Sequence, residues 1–105
     1  MSDILARLEA TIQQRLNEAE DTSYVASLHA KGTQHIAQKI GEEGVELALA
    51  LVEKNKQHIA SEAADMLFHL LVGLHHTELS LNDVFAILEE REGMSGIEEK
   101  ALRGR

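Results

Sequence analysis

Two constellations of carboxylates stand out in this 105-residue chain. Successive residues of a helix turn by about 100°, so in Lys39-Ile40-Gly41-Glu42-Glu43-Gly44-Val45-Glu46 the three glutamates and Lys39 share an arc of roughly 100°. Further on, Glu62, Asp65 and His69 fall within about 60° of one another by the same geometry. Around the first arc the sequence is apolar, with Ile36, Ile40, Leu47 and Leu51 on one flank and Val45, Leu49 and Val52 on the other. A helix patterned this way is expected to be packed on several sides. A single Glu-Glu-x-x-Glu on a helix is ordinarily a solvated face, but two acidic arcs on two apolar helices are a different case. Buried like charges either neutralise by raising their pKa or recruit a cation. No Lys or Arg set at matching positions pairs all five carboxylates, so a hard divalent cation with oxygen ligands is the expected partner.

The elements that must position these groups can be read in order. Ser2 or Asp3 caps a first amphipathic helix with Leu5, Leu8, Ile12 and Leu16 on one stripe, ending before the polar run Asn17 to Asp21. Thr22 or Ser23 opens a short segment closed at Ala30-Lys31-Gly32, where glycine suits a helix terminus. Thr33 is the expected N-cap of a long helix running to about Glu53. After the polar break Lys54-Asn55-Lys56-Gln57 a second long helix is expected to reach about Thr77. So short a connection favours antiparallel neighbours, which brings the two acidic arcs face to face. Ser80-Leu81-Asn82-Asp83 reads as a capping box, opening a helix that is expected to bury Val84, Phe85 and Leu88 and to end at Gly93. Residues 94–105 form a polar C-terminal tail.

Length and composition narrow the class. A chain of this size holds one domain, here residues 1–105. Strict period-two alternation is lacking and there is no proline, so the expected fold is all-α, a compact bundle of four to five helices. A hairpin apolar nearly all round needs more cover than the short helices supply, so a homodimer is expected to complete it. The formal net charge of −8, without a basic stripe, argues against nucleic acid as a partner. Phosphates would need a cation to approach. With no cysteine, disulfides, thiol catalysis and thiolate zinc sites are excluded. Neither a secretory signal nor a run long enough to span a bilayer is expected, which makes the protein cytoplasmic with no membrane partner.

Glu42-Glu43-x-x-Glu46 followed by Glu62-x-x-Asp65 resembles the signature of the MazG-like all-α nucleotide pyrophosphohydrolases. The blocks Ser23-Tyr24-Val25-Ala26-Ser27-Leu28, Ala30-Lys31-Gly32 and Ser95-Gly96-Ile97-Glu98-Glu99-Lys100-Ala101 are similar to the phosphoribosyl-ATP pyrophosphatase family of histidine biosynthesis. The likeness extends over nearly the whole chain, with a departure at Gly44-Val45, where that family carries Ala and a short polar residue. It implies a MazG-like fold, a homodimer, and Mg²⁺-dependent hydrolysis of phosphoribosyl-ATP to phosphoribosyl-AMP and pyrophosphate, the second step of the pathway. It also implies metal ligation by Glu43, Glu46, Glu62 and Asp65, with Glu42 and Glu43 as catalytic candidates. Which carboxylate is the base, and whether one ion or two bind, stay open. Lys31, Lys39, Lys100 and Arg103 are substrate-binding candidates, although Lys39 could equally serve only to offset Glu42 and Glu43.

The chemistry of the residues agrees with that implication. Phosphoryl transfer needs oxygen charge neutralised and a water aligned, which carboxylate-held Mg²⁺ and a spare carboxylate supply. Other readings compete: a house-cleaning nucleoside triphosphate pyrophosphohydrolase, a di-iron bundle, or a helical dimerisation module. The di-iron reading is weak, since none of the six histidines follows a Glu by three positions. His69 is expected to be a hydrogen-bonded core residue, and His75-His76 surface residues.

Overall fold

The computed structural model describes residues 3–93, which form five α-helices and, among the described residues, no strand. They are α1 (Ile4–Arg15), α2 (Tyr24–Lys31), α3 (Thr33–Glu53), α4 (Lys56–His76) and α5 (Leu81–Arg91). The all-α expectation holds. The local chemistry explains most of the boundaries. The Ser23 hydroxyl accepts from the Ala26 amide (3.2 Å) to start α2, and the Asn55 side chain accepts from the His58 amide (3.1 Å) to start α4. Ser80 and Asp83 form the capping box of α5. Lys54, in the left-handed region at φ 61°, closes α3 by donating its amide to the carbonyls of Ala50 and Leu51.

One expected cap is replaced. Gly32, at φ 98° and ψ 178°, ends α2 and precedes α3 in a single residue, a conformation only glycine adopts readily. Thr33 is therefore already helical. Its hydroxyl pairs with His76 Nε2 at 2.9 Å rather than capping α3.

The two long helices make the most extensive contact in the molecule, lying side by side as an antiparallel hairpin. Gly73 permits close approach, since a Cβ there would sit 3.1 Å from Ile40 Cδ1. The core gathers Ile12, Val25, Leu28, Ile36, Leu71, Val72 and Leu81, with Leu5, Leu8 and Leu16 of the α1 stripe packed against it. It is concentrated where α1 and α2 cover the first half of α3 and the second half of α4. The distal half of the hairpin is uncovered: Val45, Leu49, Leu51, Val52 and Leu67 are exposed. The long helices are thus half-covered rather than buried all round. On α5, Leu81 is buried, but Phe85 and Leu88 are exposed and Val84 only half-buried, against the expected burial of that face.

The two adjacent histidines are not surface residues. His75 donates through Nε2 to Glu9 Oε2 (2.9 Å), and the same oxygen accepts from the Leu81 amide (2.6 Å), joining α1, α4 and the start of α5. His76 Nδ1 lies 2.9 Å from His29 Nδ1, linking α4 to α2. No helix of the described residues is long and apolar enough to cross a membrane.

Candidate active site

The antiparallel hairpin carries out the juxtaposition that the periodicity anticipated. Glu43 from α3 meets Glu62 and Asp65 from α4, one carboxylate oxygen of each lying within 4.8 Å of the others. Glu43 is buried, Glu62 half-buried and Asp65 exposed, so the cluster grades from core to solvent. Glu43 Oε2 and Glu62 Oε2 are both buried without a hydrogen-bond partner. Leaving buried polar atoms unpaired costs free energy, which concentrated negative charge makes worse. An oxygen-only donor set with two orphaned oxygens fits a hard divalent cation.

The electrostatics carry the same signature. Burial, then the Glu46 charge, raises the pKa of Glu43 above its ordinary value, with Asp65 adding and His69 opposing. Burial, then Glu46 by hydrogen bond and charge, raises that of Glu62, with Asp65 and Glu43 contributing. Glu46, itself exposed, therefore reaches both members of the pair although it stands outside the tight trio.

Glu42 turns away from the trio. Gln38 Nε2 donates to its Oε2 at 3.0 Å and Lys39 Nζ lies 3.5 Å from its Oε1. The Gln38 hydrogen bond first, and the Lys39 contact after it, lower its pKa. Glu42 and Glu46 line one open groove with Gln38, Gly41 and Val45. A second groove of about 300 Å³, lined by Glu46, Leu49, Glu53, His58 and Glu62, opens on the other side.

Of the basic candidates, Lys39 stands at the site. The Tyr24 phenol first, and Glu42 second, raise its pKa. Lys31 is exposed at the far end of α2, separated from Glu43 by about ten residues of α3, roughly 15 Å of helix rise. Lys100 and Arg103 lie outside the described residues.

Three further groups reach the cluster. His69 is buried as expected and hydrogen-bonded: Nδ1 donates to the Asp65 carbonyl (2.8 Å) and Nε2 lies 3.0 Å from Tyr24 Oη. His58 stands between Glu62 (Nε2, 3.5 Å) and Glu53 (Nδ1, 3.5 Å). Its i, i+4 spacing to Glu62 was legible, but one such pair on a polar helix start is unremarkable. Tyr24 comes from a different helix, and no spacing rule connects it to His69.

An all-helical fold with a partly buried carboxylate trio is consistent with the helical nucleotide pyrophosphohydrolases that the sequence resembles. The chain matches the family described as Phosphoribosyl-ATP pyrophosphohydrolase over residues 5–92. It belongs to that family of hydrolases. Among its relatives are proteins named phosphoribosyl-ATP pyrophosphatase from Erythrobacter litoralis, 49% identical over 95% of this chain and 96% of the relative. Others come from Novosphingobium aromaticivorans, 50% identical over 96% of this chain and 94% of the relative, and Dinoroseobacter shibae, 50% identical over 95% and 98%. The resemblance read from the sequence blocks is thereby established at the family level.

Proposed function

We propose that this chain hydrolyses phosphoribosyl-ATP to phosphoribosyl-AMP and pyrophosphate, the second step of histidine biosynthesis, with Mg²⁺ as cofactor. The observation that carries the reading is the pair of orphaned buried oxygens, Glu43 Oε2 and Glu62 Oε2, in a three-carboxylate cluster of a chain belonging to this family. Glu43, Glu62 and Asp65 would hold the ion, with Glu46 completing the donor set. When bound, Mg²⁺ neutralises phosphate-oxygen charge that the acidic pocket would otherwise repel.

The protein's own groups supply orientation. Glu42, held ionised by Gln38 and Lys39, accepts a hydrogen bond from the attacking water in the groove it shares with Glu46. Lys39, 3.5 Å from Glu42 and with its proton firmly bound, meets the phosphate oxygens. Glu43 tops the cluster from the buried side and fixes the ion against the hairpin. Lys31, Lys100 and Arg103 remain as outer phosphate contacts, each expected to raise KM on replacement by Ala while kcat holds.

We also infer a homodimer. The uncovered apolar stripe of Val45, Leu49 and Val52 on the second half of α3 supports it, because exposed apolar patches of this kind mark association surfaces.

The test is an assay of the purified protein with phosphoribosyl-ATP and Mg²⁺ in which pyrophosphate is measured directly, beside ordinary dNTPs. Release from phosphoribosyl-ATP alone, abolished by EDTA and restored by excess Mg²⁺, is the expected result. Turnover in metal-free buffer, or a preference for dNTPs, would overturn the reading.

A further inference from the structure

The ring of Tyr24 is placed in a way that packing alone does not explain. Ser23 fixes the start of α2 through its bond to the Ala26 amide, which sets the position of Tyr24 as the first residue of the helix. From there the side chain crosses to α4. His69 Nδ1 faces the Asp65 carbonyl, which can only accept, so Nδ1 carries the proton and Nε2 of the neutral imidazole is left as an acceptor. The Tyr24 hydroxyl donates to it at 3.0 Å. The phenol ring stacks on Phe68, with centroids 5.9 Å apart and planes 16° from parallel, and meets the His69 ring edge-on at 5.8 Å. The polar tip is thus satisfied and one side of the ring is backed, yet the residue is 50% exposed.

An aromatic ring held at its tip and backed by a second ring loses little freedom when something stacks on it. What lies beside it defines the ligand. Its partner His69 is bonded in turn to the carbonyl of Asp65, a member of the carboxylate trio, and Lys39 stands 3.5 Å from Glu42 on α3. A planar group resting on Tyr24 therefore lies one side chain, that of His69, from a member of the acidic cluster, within reach of a phosphate chain. The other aromatics do not compete: Phe68 lies behind Tyr24, Phe85 is on α5, and the chain has no Trp.

We propose that the exposed ring of Tyr24, backed by Phe68, is the platform on which the purine of the substrate stacks while its phosphates extend toward Glu43, Glu62 and Asp65. This rests on the proposed substrate and adds the recognition of its base.

Tyr24 is the sole tyrosine of the chain, so its ring can be observed without any substitution. In the NMR spectrum of the full chain with labelled tyrosine and Mg²⁺ present, adenosine 5′-monophosphate should shift the Tyr24 ring protons upfield, whereas ribose 5-phosphate should not. In steady-state kinetics, Tyr24→Leu should raise KM for phosphoribosyl-ATP by about tenfold with kcat nearly unchanged, the scale of one base–aromatic stack, and Tyr24→Phe should stay near wild type. An unmoved Tyr24 signal at saturating adenosine 5′-monophosphate overturns the platform. So does Tyr24→Phe as damaging as Tyr24→Leu, which would assign the role to the hydroxyl. Should the wild-type chain fail to hydrolyse phosphoribosyl-ATP, the proposed function falls, and the ring-proton shift still decides the platform by itself.

Discussion

Glu43 and Glu62 face each other across the α3–α4 contact, and the Oε2 atom of each is buried with no hydrogen-bond partner. A native interior rarely leaves two carboxylate oxygens in this condition on facing helices. The pair is stable at neutral pH only at a cost that a proton or a cation relieves, and each relief has a measurable signature.

Replacing Glu62 by Gln and Asp65 by Asn keeps shape and polar atoms while removing two charges from a repulsive cluster. Activity should collapse. The metal-free double variant should melt no lower than the metal-free wild type, because relieved repulsion offsets lost hydrogen bonding. Mg²⁺ should raise the wild-type Tm by mass action and leave the variant's unchanged. A variant that melts lower with and without metal, while retaining activity, would show the carboxylates to be structural.

The pH dependence of metal-free stability follows from the raised pKa values of Glu43 and Glu62. Between the ordinary carboxylate value of 4.5 and the raised folded-state values, the folded chain binds more protons than the unfolded one. Stability from these groups is therefore fully present below the ordinary value and lost as pH rises through the folded ones. The Tm of the wild type minus that of Glu43→Gln/Glu62→Gln should fall across that window in EDTA, and Mg²⁺ should abolish the fall. A difference that rises with pH would contradict the burial argument.

At the opposite end of α4, one oxygen of Glu9 serves both His75 Nε2 and the Leu81 amide. Glu9→Ala leaves both donors unmatched, one of them a first-turn amide of α5, so it should cost about 1–3 kcal/mol in a denaturant titration. Glu9→Gln retains an acceptor and should cost clearly less. Since the cluster lies elsewhere, kcat measured well below the melting range should not change.

Gly44 lies within α3, and a Cβ built there meets nothing within 4 Å. Gly44→Ala should accordingly stabilise the chain by up to about 1 kcal/mol through helix propensity alone. Gly73→Ala should gain less, because Ile40 Cδ1 at 3.1 Å must move first. Equal gains at both positions in thermal melts would refute this account of the α3–α4 packing.

The sequence by itself determined the helices and which carboxylates share each acidic arc. Apolar periodicity of 3.6 residues and the caps at Ser23 and Ser80 are local, and i, i+3 and i+4 spacing decides which carboxylates share a face. Tertiary structure decided what spacing does not encode. Glu43, rather than its neighbour Glu42, joins Glu62 and Asp65, because the angle at which α4 lies on α3 selects one side of the arc. His75 and His76, which read as surface residues, are tied down by Glu9, His29 and Thr33, partners 43 or more residues away in sequence. Tyr24 reaches His69 across 45 residues for the same reason. Phe85 and Leu88 follow a helical period as buried residues do, yet stay exposed, since amphipathicity marks a face for burial without supplying the surface that covers it.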